Sequence, residues 1–350
     1  MWVILESTPD RVRFDEAGPD GTAEARGGFL EPGEEGRLAA MDGLSGVAHV
    51  LSHGGEAVRL PAQSVDGRLL REILDGTGFL PEESRRILER TVRLVEALPA
   101  ARHLLLCDTA FFTALPEEAA LYAVPHRFSR QGVRRYGGDG LLHEWVWRRT
   151  AVLMPGTRRL VSVGLGNRSN LAAIRDGKPM DTTVGFTPVE GLPSDTSSGD
   201  VDPTLIFQLS SRGHPMEEIL EMLSRRSGFG GYCGRPTGLA DLATGRGGTV
   251  EEARRIFLHA LVKYVGAAIS TLDGLDALAF ASDCGAGAVE LALEACGSLG
   301  FLGIRTAGLP VLREGAPALL SAPDSRVPVL FLPARRRQIL YEQIQFSVKE

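Results

Sequence analysis

The sequence predicts a mixed α/β protein built as two domains. Apolar runs of strand length alternate with amphipathic helical segments along the whole chain, which is typical of sheets covered by helices. Candidate strand hairpins near Val3 and near Leu160 suggest two related halves. At 350 residues the chain is long enough for two domains that each bury a core.

The first half begins with short apolar strands and contains one long helix. The helix over Pro81–Leu98 starts with proline, carries acidic residues in its first turn and repeats apolar residues every three or four positions. The run His103–Cys107 (HLLLC) is apolar, as in a buried strand, and it ends directly at Asp108. Further predicted elements are strands over Val3–Leu5, Val12–Phe14 and Val47–Leu51 and a polar turn over Leu30–Arg37.

The second half repeats the mixture of strands and helices. Strands over Leu160–Leu165 and Asn170–Ile174 precede RDGKP, which is a tight-turn sequence. The helix over Val250–Leu272 carries apolar residues on most faces, which predicts burial. Further predicted elements are helices over Met216–Arg226, Val289–Leu299 and Arg335–Phe346 and strands over Leu278–Ala281 and Val327–Leu332.

Composition excludes several classes of function. The net charge of −6 argues against nucleic acid or anionic membrane as a partner, because both are bound through an excess of basic residues. No run approaches the roughly 18 apolar residues that span a bilayer, and the N-terminus lacks the pattern of a signal peptide. The cysteines show no metal-binding spacing, which favours free thiols in the cytoplasm: Cys107, Cys233, Cys284 and Cys296.

Four segments carry recognisable motifs. The most informative, Asn167–Pro203, contains GFTPVEG and SSGDVDP, a loop rich in the small polar residues that wrap phosphate. The others are CDTAFFTALPEEAALYAVP (Cys107–Pro125), RRYGGDGLLHEWV (Arg134–Val146) and the long segment Ile256–Gly287. In this order, and over roughly Leu104–Val289, they resemble the acetate kinase family.

The resemblance implies a fold, a reaction and cofactors. It implies the two-domain acetate and sugar kinase, Hsp70 and actin (ribonuclease H-like) architecture with a central cleft. The implied domains are 1–109 plus 334–350, and 110–333, the second with nucleotide-binding and dimer-forming roles. The family moves the γ-phosphoryl group of ATP onto a short-chain carboxylate, with Mg²⁺, so the implied partners are a nucleotide, a small carboxylate and a second copy of the chain.

Only one catalytic position of the family is clearly retained. Asp108 follows a buried strand, where the resemblance implies an acid that orients Mg²⁺ or the acceptor. A carboxylate at a strand end can also cap the following turn through Thr109 and Ala110. Both interpretations of Asp108 stay open at the level of sequence.

The other catalytic positions carry different side chains. Phosphoryl transfer between two anions relies on cations near the phosphate, and one well-placed arginine is worth about 10³–10⁵ in rate. The resemblance implies arginines at Val50 and Ser197 and histidines at Asp139 and Gly164. His143 matches a second histidine of the family, as a ligand or as a packing residue of a helix. These substitutions predict that activity is lost or altered.

Both ends of the chain depart from the family as well. Glu6 begins ESTPDRVR in place of a small-residue loop, and acids there would repel phosphate. Arg335, Arg336 and Arg337 replace a motif with a metal-organising glutamate, and three arginines oppose the dipole of a helix start. The run is read either as solvated surface or as a site for an anion or partner.

Residues that would contact nucleotide are better preserved. Glycines in the segments after two predicted strands permit close approach of the backbone to phosphate. Arg168 replaces a glycine and is either a phosphate contact or a surface residue, and Tyr232 either stacks on a base or packs. Asp202 with Pro203 is also a common helix start. The implied phosphate and nucleotide residues are Gly166, Asn167, Arg168, Gly285 and Gly287.

Three functions follow from these patterns. The first is an active kinase with rewired residues and another carboxylate or phosphoryl donor, which Asp108 and Asp200 favour. In it, Arg11, Arg13 or Arg168 would serve as substitute cations. The second is a catalytically inert pseudoenzyme that binds a nucleotide or metabolite, and the third is a structural or partner-binding protein. The joint loss of cationic positions favours a family member with lost or altered activity.

Overall fold

The structure is a computed structural model, and it describes residues 1–7, 12–17, 27–30, 34, 36–76, 82–313 and 315–349. The chain divides into two compact units. The first unit comprises Met1–Ala114, Leu121–Trp145 and Arg336–Glu350, and the second comprises Leu115–Ala120 and Val146–Arg335. The expected domains differ from this division mainly because residues 121–145 group with the first unit, and they remain a proposal.

The first unit is built on a six-stranded sheet with the order β3-β2-β1-β4-β6-β5. Strands β1, β4 and β6 are parallel, β2 and β3 extend the sheet from β1 as antiparallel neighbours, and β5 is antiparallel to β6. The predicted hairpin of the first two strands is confirmed. The strands are β1 (Trp2–Ser7), β2 (Val12–Ala17), β3 (Gly27–Leu30), β4 (Gly46–Leu51), β5 (Ala62–Ser64) and β6 (Arg102–Cys107).

Helices cover this sheet and bury its apolar residues. The predicted long helix is confirmed from Glu82 to Ala97, while Pro81 and most of the predicted turn after Leu30 lie outside the described residues. The cores of the unit join Leu51, Leu70 and Leu105 in one cluster and Val3, Val47 and Leu94 in another. The helices are α1 (Gly36–Ala39), α2 (Gly67–Gly76), α3 (Glu82–Ala97), α5 (His126–Ser129), α6 (Gly140–Leu153), of which the part up to Trp145 belongs here, and α13 (Arg336–Lys349).

The second unit has a sheet with the order β9-β8-β7-β10-β12-β11. Strands β7, β10 and β12 are parallel, β8 and β9 extend from β7 as antiparallel neighbours, and β11 is antiparallel to β12. This order repeats the first sheet strand for strand, which agrees with the prediction of two related halves. The strands are β7 (Arg159–Leu165), β8 (Asn170–Arg175), β9 (Lys178–Thr182), β10 (Ala277–Ser282), β11 (Ala318–Leu319) and β12 (Val329–Pro333).

The long helix of the second unit is buried along one stripe only. The sequence predicted burial on most faces, but Ile256 is 47% exposed. The helix is long and apolar enough to cross a membrane by length and composition, a test that core helices also pass. Its buried residues are Ala253, Phe257, Leu258, Leu261, Val265, Ala268 and Leu272. The unit's helices are α4 (Glu117–Ala120), α7 (Pro203–Ser211), α8 (Met216–Arg225), α9 (Gly228–Cys233), α10 (Leu239–Thr244), α11 (Gly248–Leu272) and α12 (Ala286–Gly297).

In each unit the three parallel strands end at one edge of the sheet. In open α/β sheets, ligands bind beyond the carboxyl ends of the parallel strands. In the first unit Glu6 lies at the end of β1 and Asp108 directly follows β6. In the second unit Gly166 follows β7 and Asp283 follows β10. The topology therefore places the acidic and the glycine-rich segments at equivalent edges of the two sheets.

Candidate functional site

Asp108 is the buried acid of the first unit. Its amide donates to Leu51 O at 3.0 Å, which holds it at the end of the sheet. The residue is only 5% exposed, and its Oδ1 atom has no hydrogen-bond partner among the described residues. Its Oδ2 atom accepts from Nη2 of Arg336 at 3.5 Å. The Asp108 carboxyl therefore forms an ion pair with Arg336 and is also favoured in its charged form by the backbone amide of Leu141 at the start of α6, whereas no contact with the amides of Thr109 or Ala110 is found among the described residues.

The electrostatic surroundings of Asp108 disfavour its charge. Burial raises the pKa of Asp108 to about 6, the negative charge of Asp139 acts in the same direction, and the guanidinium of Arg336 opposes both. A carboxyl with this pKa is partly protonated near neutral pH. The aspartate at a position where the resemblance implies a histidine thus makes the site more negative.

The start of helix α6 brings Asp139 towards Asp108. Asp139 has a φ of 51°, in the left-handed region that aspartate tolerates better than most residues, and its carbonyl accepts the amide of His143. Gly140 passes so close to the end of β6 that a Cβ atom there would lie 2.1 Å from Asp108 O. The glycine is required because only a residue without a side chain allows this approach.

Arg336 connects three elements of the first unit. At the first residue of α13, its Nε donates to Glu6 Oε1 at 2.7 Å, and its Nη2 contacts Asp108. Burial opposes the charge of Arg336, but the attraction of Asp108 and of Glu6 outweighs it and raises the pKa of Arg336. Arg337 likewise pairs with Asp15. Both side chains are about half exposed, which agrees with a position at the surface, but each is bound to a carboxylate of its own chain and is not open to an external anion.

The other residues of the first unit that the sequence analysis singled out, as far as the structure describes them, are buried or paired within the chain. Val50 is buried in β4, between Glu6 of β1 and Leu106 of β6. His143 is fully buried in α6, and its ring meets the ring of Phe112 edge-on with 6.0 Å between the ring centroids. This favours the interpretation of His143 as a packing residue of the helix over a ligand. Of the candidate substitute cations, Arg13 pairs with the buried Asp15, and Arg11 lies outside the described residues.

A cavity of about 260 Å³ in the first unit was not predicted from the sequence. Arg134 donates to Glu56 at 3.0 Å on its wall, and the guanidinium of Arg135 lies 4.7 Å above the ring of Tyr122. The paired arginines of RRYGGDG were the available signal. Its lining comprises Gly55, Glu56, Arg59, Thr109, Phe112, Thr113, Arg134, Arg135 and Tyr136.

The structure brings the predicted phosphate loops of the second unit together. Leu165 of β7 pairs with Ser282 of β10, so the segments that follow these strands are neighbours. Gly166 has open space where a Cβ would point, and Asn167 and Arg168 are exposed. The backbone of this edge is therefore accessible to a ligand.

Glycine occupies the two positions near the start of α12 for different structural reasons. Gly285 precedes the helix with a φ of 62° and faces open space, which suits a loop that a ligand approaches. Gly287 lies inside the first turn, where a Cβ would meet Ala243 Cβ at 3.1 Å. Gly287 is thus explained by the packing of α12 on α10.

The SSGDVDP loop is held by its own polar groups. Asp200 accepts the amide of Gly191 at 2.9 Å and the hydroxyl of Tyr264, so its retention has a structural reason. Ser197 is buried and its hydroxyl lies 2.7 Å from that of Ser194. Asp202 caps α7 through the amide of Thr204, which confirms the predicted helix start. Gly164 is buried within β7 and contributes no side chain.

A larger cavity, about 670 Å³, adjoins this loop in the second unit. Asp195 is on its wall, and its Oδ1 atom is buried without a partner among the described residues. Tyr232 is not part of the lining. Its ring is about half exposed, and its hydroxyl donates to Glu252 on α11. The lining is Asp195, Thr196, Arg225, Arg226, Ser227, Gly230, Gly231, Gly234, Arg235, Pro236, Thr237, Gly238 and Asp241.

Replacing Asp195 with asparagine is expected to stabilise the chain at pH 7.5 but not at pH 4.5. Burial, and then the charge of Asp241, raise the pKa of Asp195 to about 6. An acid with a raised folded pKa contributes stability below about pH 4 and loses it as the pH rises through 6. The partial exposure of Asp195 limits the gain to about 1 kcal/mol, or roughly 2–4 °C. Thermal unfolding at both pH values measures it, with Asp283→Asn at an exposed acid as the control. An equal shift at both pH values would contradict the prediction.

Comparisons of the sequence with known proteins identify its family. The model of the acetokinase family matches residues 34–340. The acetate kinase of Synechococcus sp. (strain JA-2-3B'a(2-13)) is 34% identical over 338 residues, which cover 92% of this chain and 82% of that protein. The acetate kinase of Bacillus subtilis (strain 168) is 32% identical, covering 86% and 78%.

Solved structures give the same fold. Porphyromonas gingivalis acetate kinase has a TM-score of 0.86 at 24% identity and covers 99% of both chains. A propionate kinase from Francisella tularensis has a TM-score of 0.84 at 22% identity and covers 98% of both. The fold is therefore the α/β architecture of acetate and sugar kinases, Hsp70 and actin. Within that class, this chain belongs to the acetokinase family.

Proposed function

We propose that this chain is a divergent acetokinase in which ATP-dependent phosphorylation of a short-chain carboxylate is lost or altered, while the second unit still binds a nucleotide. The observation that carries the first part is the charge around Asp108. Its neighbours Asp139 and Glu6 are acids, and Arg336, which contacts it, is shared with Glu6. Phosphoryl transfer needs cations that are free to bind the phosphate oxygens.

Nucleotide binding is supported by the second unit. The accessible backbone at Gly166 and Gly285 suits phosphate, and the 670 Å³ cavity is within the range of small-molecule sites. Three arginines (Arg225, Arg226 and Arg235) line this wall against two acids, Asp195 and Asp241. ATP, Mg²⁺ and a carboxylate are the substrates and metal of the family, and for this chain only the nucleotide is proposed. A cytoplasmic homodimer remains a prediction.

Trapping of acyl phosphate as a hydroxamate tests the catalytic part. Acetate, propionate and larger acids are offered with ATP, GTP or pyrophosphate, and the Bacillus subtilis acetate kinase is assayed beside them. The expected rate is at least about 10³-fold below that of the relative, since one arginine alone is worth that much. A comparable rate that Asp108→Asn abolishes would establish an active kinase with rewired residues instead.

Thermal unfolding with added nucleotide tests the binding part. ADP or ATP is expected to raise the unfolding temperature, because a ligand of the native state stabilises by mass action. Arg235→Ala, in the wall of the cavity, is expected to reduce that shift, and Arg212→Ala, an exposed arginine outside the lining, should leave it unchanged. The absence of a shift with any nucleotide would leave the structural or partner-binding function as the better account.

A further inference from the structure

The space between two carboxylates of the first unit is filled by a guanidinium. Arg336 lies 2.7 Å from Glu6 Oε1 and 3.5 Å from Asp108 Oδ2. Glu6 is on β1 and Asp108 directly follows β6, and these two strands flank β4. Its neighbour Arg337 is engaged with Asp15, so it does not compete for these acids. An arginine side chain stays charged at every pH at which the protein is folded. Glu6 and Asp108 therefore share a permanent cation supplied by the chain.

The residues present do not fit the Mg²⁺ that the family implies. Mg²⁺ requires near-octahedral oxygen ligands at about 2.0–2.1 Å, and it binds through one or two carboxylates together with substrate phosphates. Glu6 and Asp108 are the carboxylates that could contribute, but Arg336 stands between them. Across the described part of the chain, no group of three or more His, Cys, Asp or Glu residues could hold a metal.

Electrostatics reinforce the geometric conflict. A divalent ion close enough to ligate Asp108 would lie near the positive guanidinium, and like charges in a half-buried site repel strongly. Asp108 Oδ1 is buried without a hydrogen-bond partner among the described residues, and a single oxygen falls short of the ligands that Mg²⁺ requires. The negative charge of Asp139 attracts cations, but it already interacts favourably with the positive charge of Arg336.

We propose that Arg336 is the resident cation of this site, so that the chain binds no divalent metal between Glu6 and Asp108. The inference rests on the proposed function, because it specifies how the site has been altered. It also predicts that removing the guanidinium opens a metal site. Arg336→Glu supplies a carboxylate in its place, and Arg336→Gln removes the charge with a smaller change of shape.

Binding of Mn²⁺, followed by electron paramagnetic resonance of the free ion, tests this without any assay of activity. The portion of binding that Asp108→Asn removes is assigned to this site. The full-length wild type is expected to show no such portion at 1 mM, about the weak limit of a useful site. Arg336→Glu is expected to bind Mn²⁺ at least about tenfold more tightly than wild type and to gain thermal stability from the ion. Arg337→Gln, which breaks the neighbouring ion pair, should behave as wild type.

Arg336→Gln keeps the test decisive if Arg336→Glu fails to fold, because it should bind Mn²⁺ more tightly than wild type as well. Wild-type binding that Asp108→Asn abolishes would overturn the inference, and so would Mn²⁺ binding that neither Arg336→Glu nor Arg336→Gln increases. Failure of the proposed function looks different. Hydroxamate formation that persists in EDTA would refute the loss of activity and retain the arginine as the cation. Metal binding by an inactive wild type would refute the inference alone.

Discussion

Acidification from pH 6.5 to pH 4 is expected to destabilise the chain by about 3 kcal/mol through one buried pair of histidines in the first unit. His49 on β4 and His103 on β6 are 2% and 7% exposed. His103 Nε2 lies 2.9 Å from Leu98 O, which can only accept, so this nitrogen carries the proton. His103 Nδ1 then accepts from His49 Nε2 at 3.0 Å. Both rings are neutral in this arrangement.

The direction of the pH effect follows from the lowered pKa values. Burial, and then the charge of His103, lower the pKa of His49 to about 3, and burial lowers that of His103. The unfolded chain therefore binds more protons than the folded chain below the ordinary histidine pKa of 6.5. The stability is complete above pH 6.5 and is lost as the pH falls towards 3. Each unit of the shift corresponds to about 1.4 kcal/mol, which gives the magnitude for His49 alone.

Chemical unfolding at a series of pH values measures this loss. His49→Gln keeps a donor for His103 but does not titrate, so the difference from wild type should shrink steadily between pH 7 and pH 4. His126→Gln, at an exposed histidine, serves as the matched control and should follow the wild-type profile. If His49→Gln leaves the pH profile unchanged, the pair is not the source of acid sensitivity.

Replacing Gly140 with alanine is expected to destabilise the chain by about 3 kcal/mol, at the upper end for added volume in a packed site. The new Cβ would lie 2.1 Å from Asp108 O and 2.7 Å from Phe111 Cβ. The first of these atoms belongs to the backbone directly after β6, which cannot rotate away as a side chain can. The start of α6 would have to move, and Asp139 would move with it.

A second glycine in a helix supplies the control for this prediction. Gly266 lies within α11 and has nothing within 4 Å of a Cβ, so Gly266→Ala should stabilise by about 0.5–1 kcal/mol through helix propensity. Denaturant unfolding of both variants tests the contrast. Equal effects of the two substitutions would mean that Gly140 does not mark a close approach.

Local patterns predicted most of the elements, because each depends on neighbouring residues. The HLLLC run, the hairpin after Leu160 and helix α7, which has Asp202 as its cap and Pro203 as its first residue, were each encoded within a few positions. The burial of α11 was overestimated because its apolar residues cover more of its surface than the sheet covers. The sheet orders depend on pairings between distant strands, which no local pattern contains.

The candidate site was predicted only in part for the same reason. Asp108 stood out at a strand end, but its ion pair with Arg336 spans 228 positions. The sequence therefore left Arg336 as either surface or anion site. Gly287 matched a phosphate-loop pattern, although its contact with Ala243 comes from helix packing. A motif identifies which residues are present, whereas the role of each residue depends on contacts with residues far away in the sequence.

The discontinuity of the first unit has a consequence for synthesis on the ribosome. Helix α13 supplies Arg337 to Asp15, so the unit can be completed only after the intervening second unit has emerged. At roughly 5–20 residues per second, the passage of these 190 or so residues takes on the order of 10–40 s. During that interval Asp15 lacks this partner, and the second unit, which is nearly continuous, can fold first. The order of synthesis therefore allows the glycine-rich half to form before the half that contains Asp108 is complete.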